Sequence, residues 1–108
     1  MPIHMRQFSD DLAERLRHNP GTSIRSAAEF LAWADWRFQW IHPFKDFNGR
    51  IGRVLLAALL YMLSLPHVET APPDRGTRER YLDALRAADQ GNYDPLTLEW
   101  LWRLGEAL

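Results

Sequence analysis

The chain has 108 residues, a length that suits one domain, residues 1–108, built around one hydrophobic core. Its net charge is −1, with 46% hydrophobic and 25% charged residues, which argues against direct binding to nucleic acid or to a membrane surface. The absence of cysteine excludes disulfides and thiolate metal sites, and it is compatible with a cytoplasmic location.

The first half of the chain predicts two helices separated by a turn. Phe8, Leu12 and Leu16 recur every four residues, which indicates an amphipathic helix ending near the breaker cluster His18–Gly21. The second helix is capped either by Ser26, through a capping box with Glu29, or by Ser23. Its apolar residues cover nearly all faces, which predicts a central helix that Pro43 ends; they are Ala27, Phe30, Leu31, Ala34, Phe38 and Ile41, with Trp33, Trp36 and Trp40 on the other sides.

Three more helices are expected in the second half. The first covers about residues 49–63 and includes the apolar run Val54–Leu63, which is too short to cross a membrane and is interpreted as buried. The next covers about residues 77–89, with Gly91 as its C-terminal cap. Asp94-Pro95 then begins a last helix that carries Leu98, Leu101 and Leu104. With no strand-like alternation in the sequence, the predicted fold class is all-α.

The segment His42–Arg53, HPFKDFNGRIGR, is the candidate functional site. It is a loop that leads into the N-terminus of a helix, where free N–H groups and the helix dipole attract phosphate. Arg50 and Arg53 lie on one face of that helix, and Gly52 between them is expected to keep this face uncrowded. Two guanidinium groups beside a helix N-terminus form a cradle for anions.

Two further side chains in this loop suggest phosphoryl or nucleotidyl transfer. Asp46 is a carboxylate close to the predicted phosphate site, which is the type of ligand that Mg²⁺ prefers. His42 can accept a proton near neutral pH from an attacking hydroxyl. A base, a metal ligand and a phosphate cradle therefore occur within one short segment.

The segment resembles the signature of the Fic family, HPFx(D/E)GNGRxxR. It agrees with that signature at eight positions, which are His42, Pro43, Phe44, Asp46, Asn48, Gly49, Arg50 and Arg53. The later stretch Arg80–Leu85 is also similar to a helix of the family. The likeness extends over nearly the whole chain, but only the motif is specific.

This resemblance implies a protein adenylyltransferase that moves AMP from ATP to a Ser, Thr or Tyr hydroxyl of a target protein. It implies that His42 is the general base and that Asp46 holds Mg²⁺. It implies phosphate binding by four residues, with Asn48 and Gly49 at the α-phosphate and Arg50 and Arg53 at the outer phosphates. Pro43 and Phe44 would have structural roles, with Phe44 anchoring the loop in the core.

Related reactions on the same scaffold are alternatives: UMP or phosphocholine transfer, removal of AMP, or phosphorylation. Phosphorylation ranks lower, because Gly49-Arg50 departs from the pattern of the family's kinase-like branch. A degenerate, non-enzymatic binding module is the remaining alternative.

Three departures from the family pattern bear on these alternatives. Phe47 stands where the family has glycine, a residue that allows positive φ or a close backbone approach. The chain looks short at its N-terminus, where family members usually carry a further helix and a target-docking hairpin. The inhibitory pattern (S/T)xxxE(G/N) does not occur, so constitutive activity or a separate inhibitory protein is expected.

Outside the motif, aromatic and histidine residues are expected to be structural. The five tryptophans are assigned to the core, and His4, His18 and His67 to the surface. Tyr81 is left with two interpretations, contact with the nucleotide base or packing.

Overall fold

The computed structural model describes residues 3–18, 22–41, 48–68 and 74–107. Within these ranges the chain forms five helices and no strand, which confirms the all-α fold: α1 (Ile3–Arg17), α2 (Ile24–Ile41), α3 (Asn48–Met62), α4 (Arg75–Asp89) and α5 (Asp94–Ala107). No helix in the described ranges is long and apolar enough to span a bilayer.

Helix α2 is central, as its sequence predicts. It packs against α1, α3 and α5, and α4 packs on α5. The predicted apolar side of α2 is buried at Ala27, Phe30, Leu31, Ala34 and Phe38, because residues three and four apart share one face of a helix. Most of the core consists of leucine and alanine side chains from α2, α3, α4 and α5 around the fully buried Trp100.

The helix starts follow local side-chain chemistry. Ser23 caps α2, since its Oγ accepts a hydrogen bond from the Ser26 N–H at 3.0 Å, which selects Ser23 over Ser26 as the cap. Asp74 caps α4 in the same way through the Thr77 N–H at 2.7 Å. Helix α5 begins one residue earlier than predicted. Asp94 is its first helical residue and Pro95 its second, whereas Asp94 was expected to be the N-cap and Pro95 the first helical residue.

Helices α3 and α4 end in the same hydrogen-bond pattern, the Schellman motif. After α3, the N–H groups of Ser64 and Leu65 donate to the carbonyls of Tyr61 and Leu60. After α4, the Gly91 N–H donates to the Ala88 carbonyl, so Gly91 is equivalent to Ser64 after α3. Both motifs need a left-handed residue, and φ is 87° at Gly91, the predicted cap, but 59° at Ser64.

The apolar run Val54–Leu63 is only partly buried, contrary to the expectation of a core helix. Leu56, Leu59 and Leu60 lie in the core, whereas the Tyr61 side chain is 84% exposed. Val54 and Met62 are exposed on the same side of α3. The run is continuous in sequence, but successive helical residues are about 100° apart, so only one side of α3 can face α2.

The prediction that the five tryptophans lie in the core was wrong in part, and one leucine noted on the last helix is exposed. Leu98 is 62% exposed, because α5 turns Leu96, Trp100 and Leu104 toward the core instead. The tryptophans are also divided: Trp100 is buried, whereas Trp40 and Trp102 are exposed on the surface. The spacing of apolar residues predicted the helix α5, but it did not show that the side with Leu96 and Trp100, and not the side with Leu98, is buried.

Candidate functional site

The loop half of the predicted site lies outside the described residues. This applies to His42, Pro43, Phe44 and Asp46, and the departure from the family pattern, Phe47, lies there too. Their predicted roles therefore stay predictions.

The other half of the motif forms the first turns of α3. Asn48, Gly49 and Arg50 are the first three residues of this helix, although their side chains lie outside the description. The predicted helix is thus present, and it begins one residue earlier than predicted. The first N–H groups of a helix have no partner inside the helix, and they carry its partial positive charge.

Arg53 is the predicted site residue whose side chain the structure describes. It is exposed and lies on the wall of a cleft of about 400 Å3 between helices α2, α3, α4 and α5. The cleft combines arginine and other polar side chains with leucines, and its lining residues are Asp35, Gln39, Gly52, Arg53, Leu56, Arg78, Tyr81, Leu82, Leu85 and Arg103. Within the described ranges, Arg53 has no hydrogen-bond or ion-pair partner, so its charge is available to an anion in the cleft.

Gly52 has a different role from the one its position suggests. It does not simply separate the two arginines, because it is buried against α2. A Cβ atom at this position would lie 3.0 Å from Gln39 Nε2 and 3.4 Å from Phe38 Cδ1. The missing side chain therefore lets α3 approach α2 closely at the residue before Arg53.

A buried polar cluster forms the floor of the cleft. Asp35 is 2% exposed, and its two carboxylate oxygens accept hydrogen bonds from the Tyr81 hydroxyl at 2.8 Å and from Trp100 Nε1 at 3.2 Å. Arg103 is 8% exposed, and its guanidinium lies over the Tyr81 and Trp100 rings, 5.2 Å and 4.9 Å from their centroids. The cluster ties α2, α4 and α5 together beneath the cleft.

The cluster also perturbs two proton equilibria. Burial raises the pKa of the Asp35 carboxyl, against the opposing effects of the Tyr81 hydrogen bond and the Arg103 charge. Burial likewise raises the pKa of the Tyr81 hydroxyl, with a further contribution from the neighbouring Asp35 charge. Tyr81 is therefore a neutral hydrogen-bond donor at physiological pH, and its bond to Asp35 supports the packing interpretation while its ring still lines the cleft.

Sequence reasoning missed Asp35, Arg78 and Arg103. For Asp35 a signal existed, since it is the one carboxylate on the buried stripe of α2 that Leu31 and Phe38 define. A charged residue in such a position needs buried partners, which come from α4 and α5 and cannot be read from local spacing. Arg78 and Arg103 gave no comparable signal.

Among the described residues, no group of three or more His, Asp or Glu side chains could hold a metal ion. The candidate ligand Asp46 lies outside these residues, so this result leaves its predicted role untouched.

Comparison with known proteins finds similarity that extends beyond the motif His42–Arg53. The model of the Fic/DOC family matches residues 1–60. A probable protein adenylyltransferase of Aquifex aeolicus (strain VF5) is 46% identical over 54 residues, which are 50% of this chain and 15% of the relative. The protein adenylyltransferase Fic of Aedes aegypti is 34% identical over 67 residues, 62% of this chain and 13% of the relative.

A Fido domain-containing protein of Dictyostelium discoideum is 32% identical over 79 residues, which are 73% of this chain and 53% of the relative. The chain thus spans about 15% of the length of the adenylyltransferases and about half of the length of this shorter relative. No solved structure matches the chain.

Proposed function

We propose, from the premise that this chain belongs to the Fic/DOC family, that it is a protein adenylyltransferase. Its substrates would be ATP and a protein with a modifiable Ser, Thr or Tyr hydroxyl. The support is the motif His42–Arg53 together with relatives that are named protein adenylyltransferases.

In the proposed reaction the target hydroxyl attacks the α-phosphorus of ATP. His42 takes the hydroxyl proton, the new bond joins the target oxygen to the α-phosphorus, and the bond from that phosphorus to the bridging oxygen breaks. Pyrophosphate then leaves with the electron pair. A positioned base typically contributes about 10²–10⁴-fold to such a step.

Phosphate binding is assigned to the start of α3. Asn48 and Gly49 would bind the α-phosphate, since they begin the helix where its free N–H groups lie. Arg50 and Arg53 would bind the outer phosphates. Pro43 and Phe44 would hold the preceding loop in place.

Asp46 would hold the magnesium ion that accompanies ATP. It is the only carboxylate between Ile41 and Leu63, and Mg²⁺ usually takes one or two carboxylates together with phosphate oxygens. When bound, this ion neutralises part of the phosphate charge.

The observation that carries the proposal is the place of Arg53. Helix α3 begins inside the motif, and Arg53 stands one turn further on, at the wall of a cleft large enough for part of a nucleotide. Its charge is unpaired within the described part of the chain, and the one carboxylate of the cleft lining, Asp35, is already bonded to Tyr81 and Trp100. The proposal therefore includes constitutive ATP binding, or restraint by a separate inhibitory protein.

Labelled ATP tests the reaction class. The protein is incubated with candidate targets and with ATP that carries radioactive phosphorus at either the α or the γ position, and the proteins are then separated and weighed by mass spectrometry. Label from the α position and a mass gain of one AMP support the proposal. Label from the γ position alone would show phosphorylation, and a gain of UMP or phosphocholine from the corresponding donors would show one of the related transfers.

The phenylalanine at position 47, where the family has glycine, supports a second candidate function, that of a binding module without catalysis. If phenylalanine obstructs the loop, ATP binds weakly and gains little from magnesium. Titration of ATP into the protein with and without Mg²⁺, and into Phe47→Gly, separates the two functions. We expect Phe47→Gly to change the dissociation constant less than about tenfold, equivalent to about 1.4 kcal/mol. A much larger tightening would favour the binding module.

A further inference from the structure

Two arginines without partners face the cleft from different helices. Arg53 lies on α3 and Arg78 on α4, and both line its wall. Within the described ranges neither side chain forms a hydrogen bond or an ion pair. Two other arginines on α4 are paired: Arg80 with Glu99 and Arg86 with Asp83.

The cleft concentrates positive charge in a chain whose net charge is −1. Its lining contains three arginines and one aspartate, a net charge of +2 when Asp35 is ionised. Asp35 cannot neutralise the two exposed arginines, because it is buried and both of its oxygens are bonded to Tyr81 and Trp100. At the floor of the cleft the negative charge of Asp35 offsets the positive charge of Arg103, whereas the charges of Arg53 and Arg78 are not offset.

The leucines in the lining strengthen the attraction that these positive charges exert on an anion. Leu56 is buried, and Leu82 and Leu85 are half-buried, so they keep water away from one side of the cleft. Electrostatic attraction is stronger beside such low-dielectric walls than in bulk water. An anion with several oxygens could be held by both guanidinium groups at once, each through two parallel hydrogen bonds.

We infer that Arg78 is a second binding residue for the outer phosphates of a nucleoside triphosphate, acting from α4 in the cleft that Arg53 lines from α3. The inference rests on the proposed function for the choice of ligand. A terminal phosphate offers three oxygens, enough for two guanidinium groups from different helices, whereas the single α-phosphate of AMP belongs at the start of α3. Arg78 therefore contributes to the distinction between triphosphate and monophosphate.

Calorimetric titration with ATP and with AMP tests this role without any target protein. Arg78→Ala is compared with Arg75→Ala, a matched control on the same helix that is also exposed but does not line the cleft. We expect Arg78→Ala to weaken ATP binding about tenfold, the loss typical of a charged hydrogen bond, and to change AMP binding less than about twofold. Arg75→Ala should change either affinity less than about twofold, and Arg78→Lys should recover part of the loss.

The outcomes separate this inference from the proposed function. Equal ATP affinities in Arg78→Ala and Arg75→Ala, with helical circular dichroism retained in both, would overturn the role of Arg78. So would an equal loss for ATP and AMP. A wild-type protein that binds ATP but transfers no AMP contradicts the proposed function alone, whereas a wild-type protein that binds no ATP contradicts both.

Discussion

The Tyr81 hydroxyl on α4 donates a 2.8 Å hydrogen bond to Asp35 Oδ1 on α2, at the floor of the cleft that Arg53 lines. The two residues are 46 positions apart in the chain. Trp100 Nε1 on α5 donates a second hydrogen bond to the other carboxylate oxygen of Asp35. A buried carboxylate with two donors is held in one orientation. The cleft floor is therefore fixed by polar contacts as well as by leucine packing.

The first prediction concerns the pH dependence of stability. Burial raises the pKa of Asp35 in the folded protein above its unfolded value of about 4. Asp35 thus contributes most to stability below that pH, and this contribution is lost as the pH rises through the folded pKa. Asp35→Asn should keep the geometry, since the Tyr81 hydroxyl can rotate to accept from the amide. The stability of Asp35→Asn relative to wild type should therefore increase from pH 4 to pH 7.

Urea denaturation at several pH values measures this difference. Asp89→Asn is the matched control, because Asp89 also accepts a hydrogen bond from a tryptophan, Trp36 Nε1 at 2.8 Å, but is exposed. A constant difference between Asp35→Asn and wild type across this range would show that Asp35 does not titrate abnormally.

The second prediction uses the two Schellman caps. Ser64 has a left-handed φ of 59°, which penalises a residue with a Cβ atom, whereas Gly91 has the equivalent conformation at no such penalty. Ser64→Gly should raise the free energy of unfolding by about 1 kcal/mol, and Gly91→Ser should lower it by about the same amount. Chemical denaturation measures both. Changes of the same sign in the two variants would rule out this explanation.

The third prediction concerns the contact between α2 and α3. A leucine at position 52 must displace Gln39 and Phe38, so Gly52→Leu should lower the free energy of unfolding by about 1–3 kcal/mol. Gly105→Leu is the control: Gly105 is also helical, but a Cβ atom there would have no neighbour within 4 Å. Thermal denaturation should show Gly105→Leu equal to or above wild type. If both variants are equally stable, the close approach at Gly52 is not required.

Much of the fold could be predicted because helix periodicity and capping are local. The centrality of α2 follows from its apolar faces, and the end of α4 follows from Gly91. Exposure at Leu98 and Tyr61 could not be predicted in this way, because it depends on which side of each helix meets a neighbour.

The candidate site was predictable in its motif but not in its surroundings. The segment His42–Arg53 is continuous in sequence, so its chemistry can be recognised without the fold. The cleft that Gly52 and Arg53 line is assembled from four helices, and Arg78 and Asp35 reach it only through tertiary packing. No local pattern contains that information.

The fourth prediction concerns magnesium. Because Asp46 is the only carboxylate of the loop, Asp46→Ala should abolish both AMP transfer and the effect of magnesium on ATP affinity. Titration of ATP with and without Mg²⁺ measures the second effect directly. Asp83→Ala serves as the control, since Asp83 is exposed on α4 and pairs only with Arg86 there. An unchanged response to magnesium in Asp46→Ala would place the ligand elsewhere.

In the proposed function His42 is the base for AMP transfer, and one comparison of three proteins tests this role. Wild type, His42→Ala and the control His67→Ala, a substitution of an exposed histidine, are incubated with a target and α-labelled ATP, and ATP affinity is measured in parallel. We predict that His42→Ala loses about 10²–10⁴-fold in transfer rate with ATP affinity largely kept, and that His67→Ala behaves as wild type. Full transfer activity in a purified, folded His42→Ala protein would contradict the account.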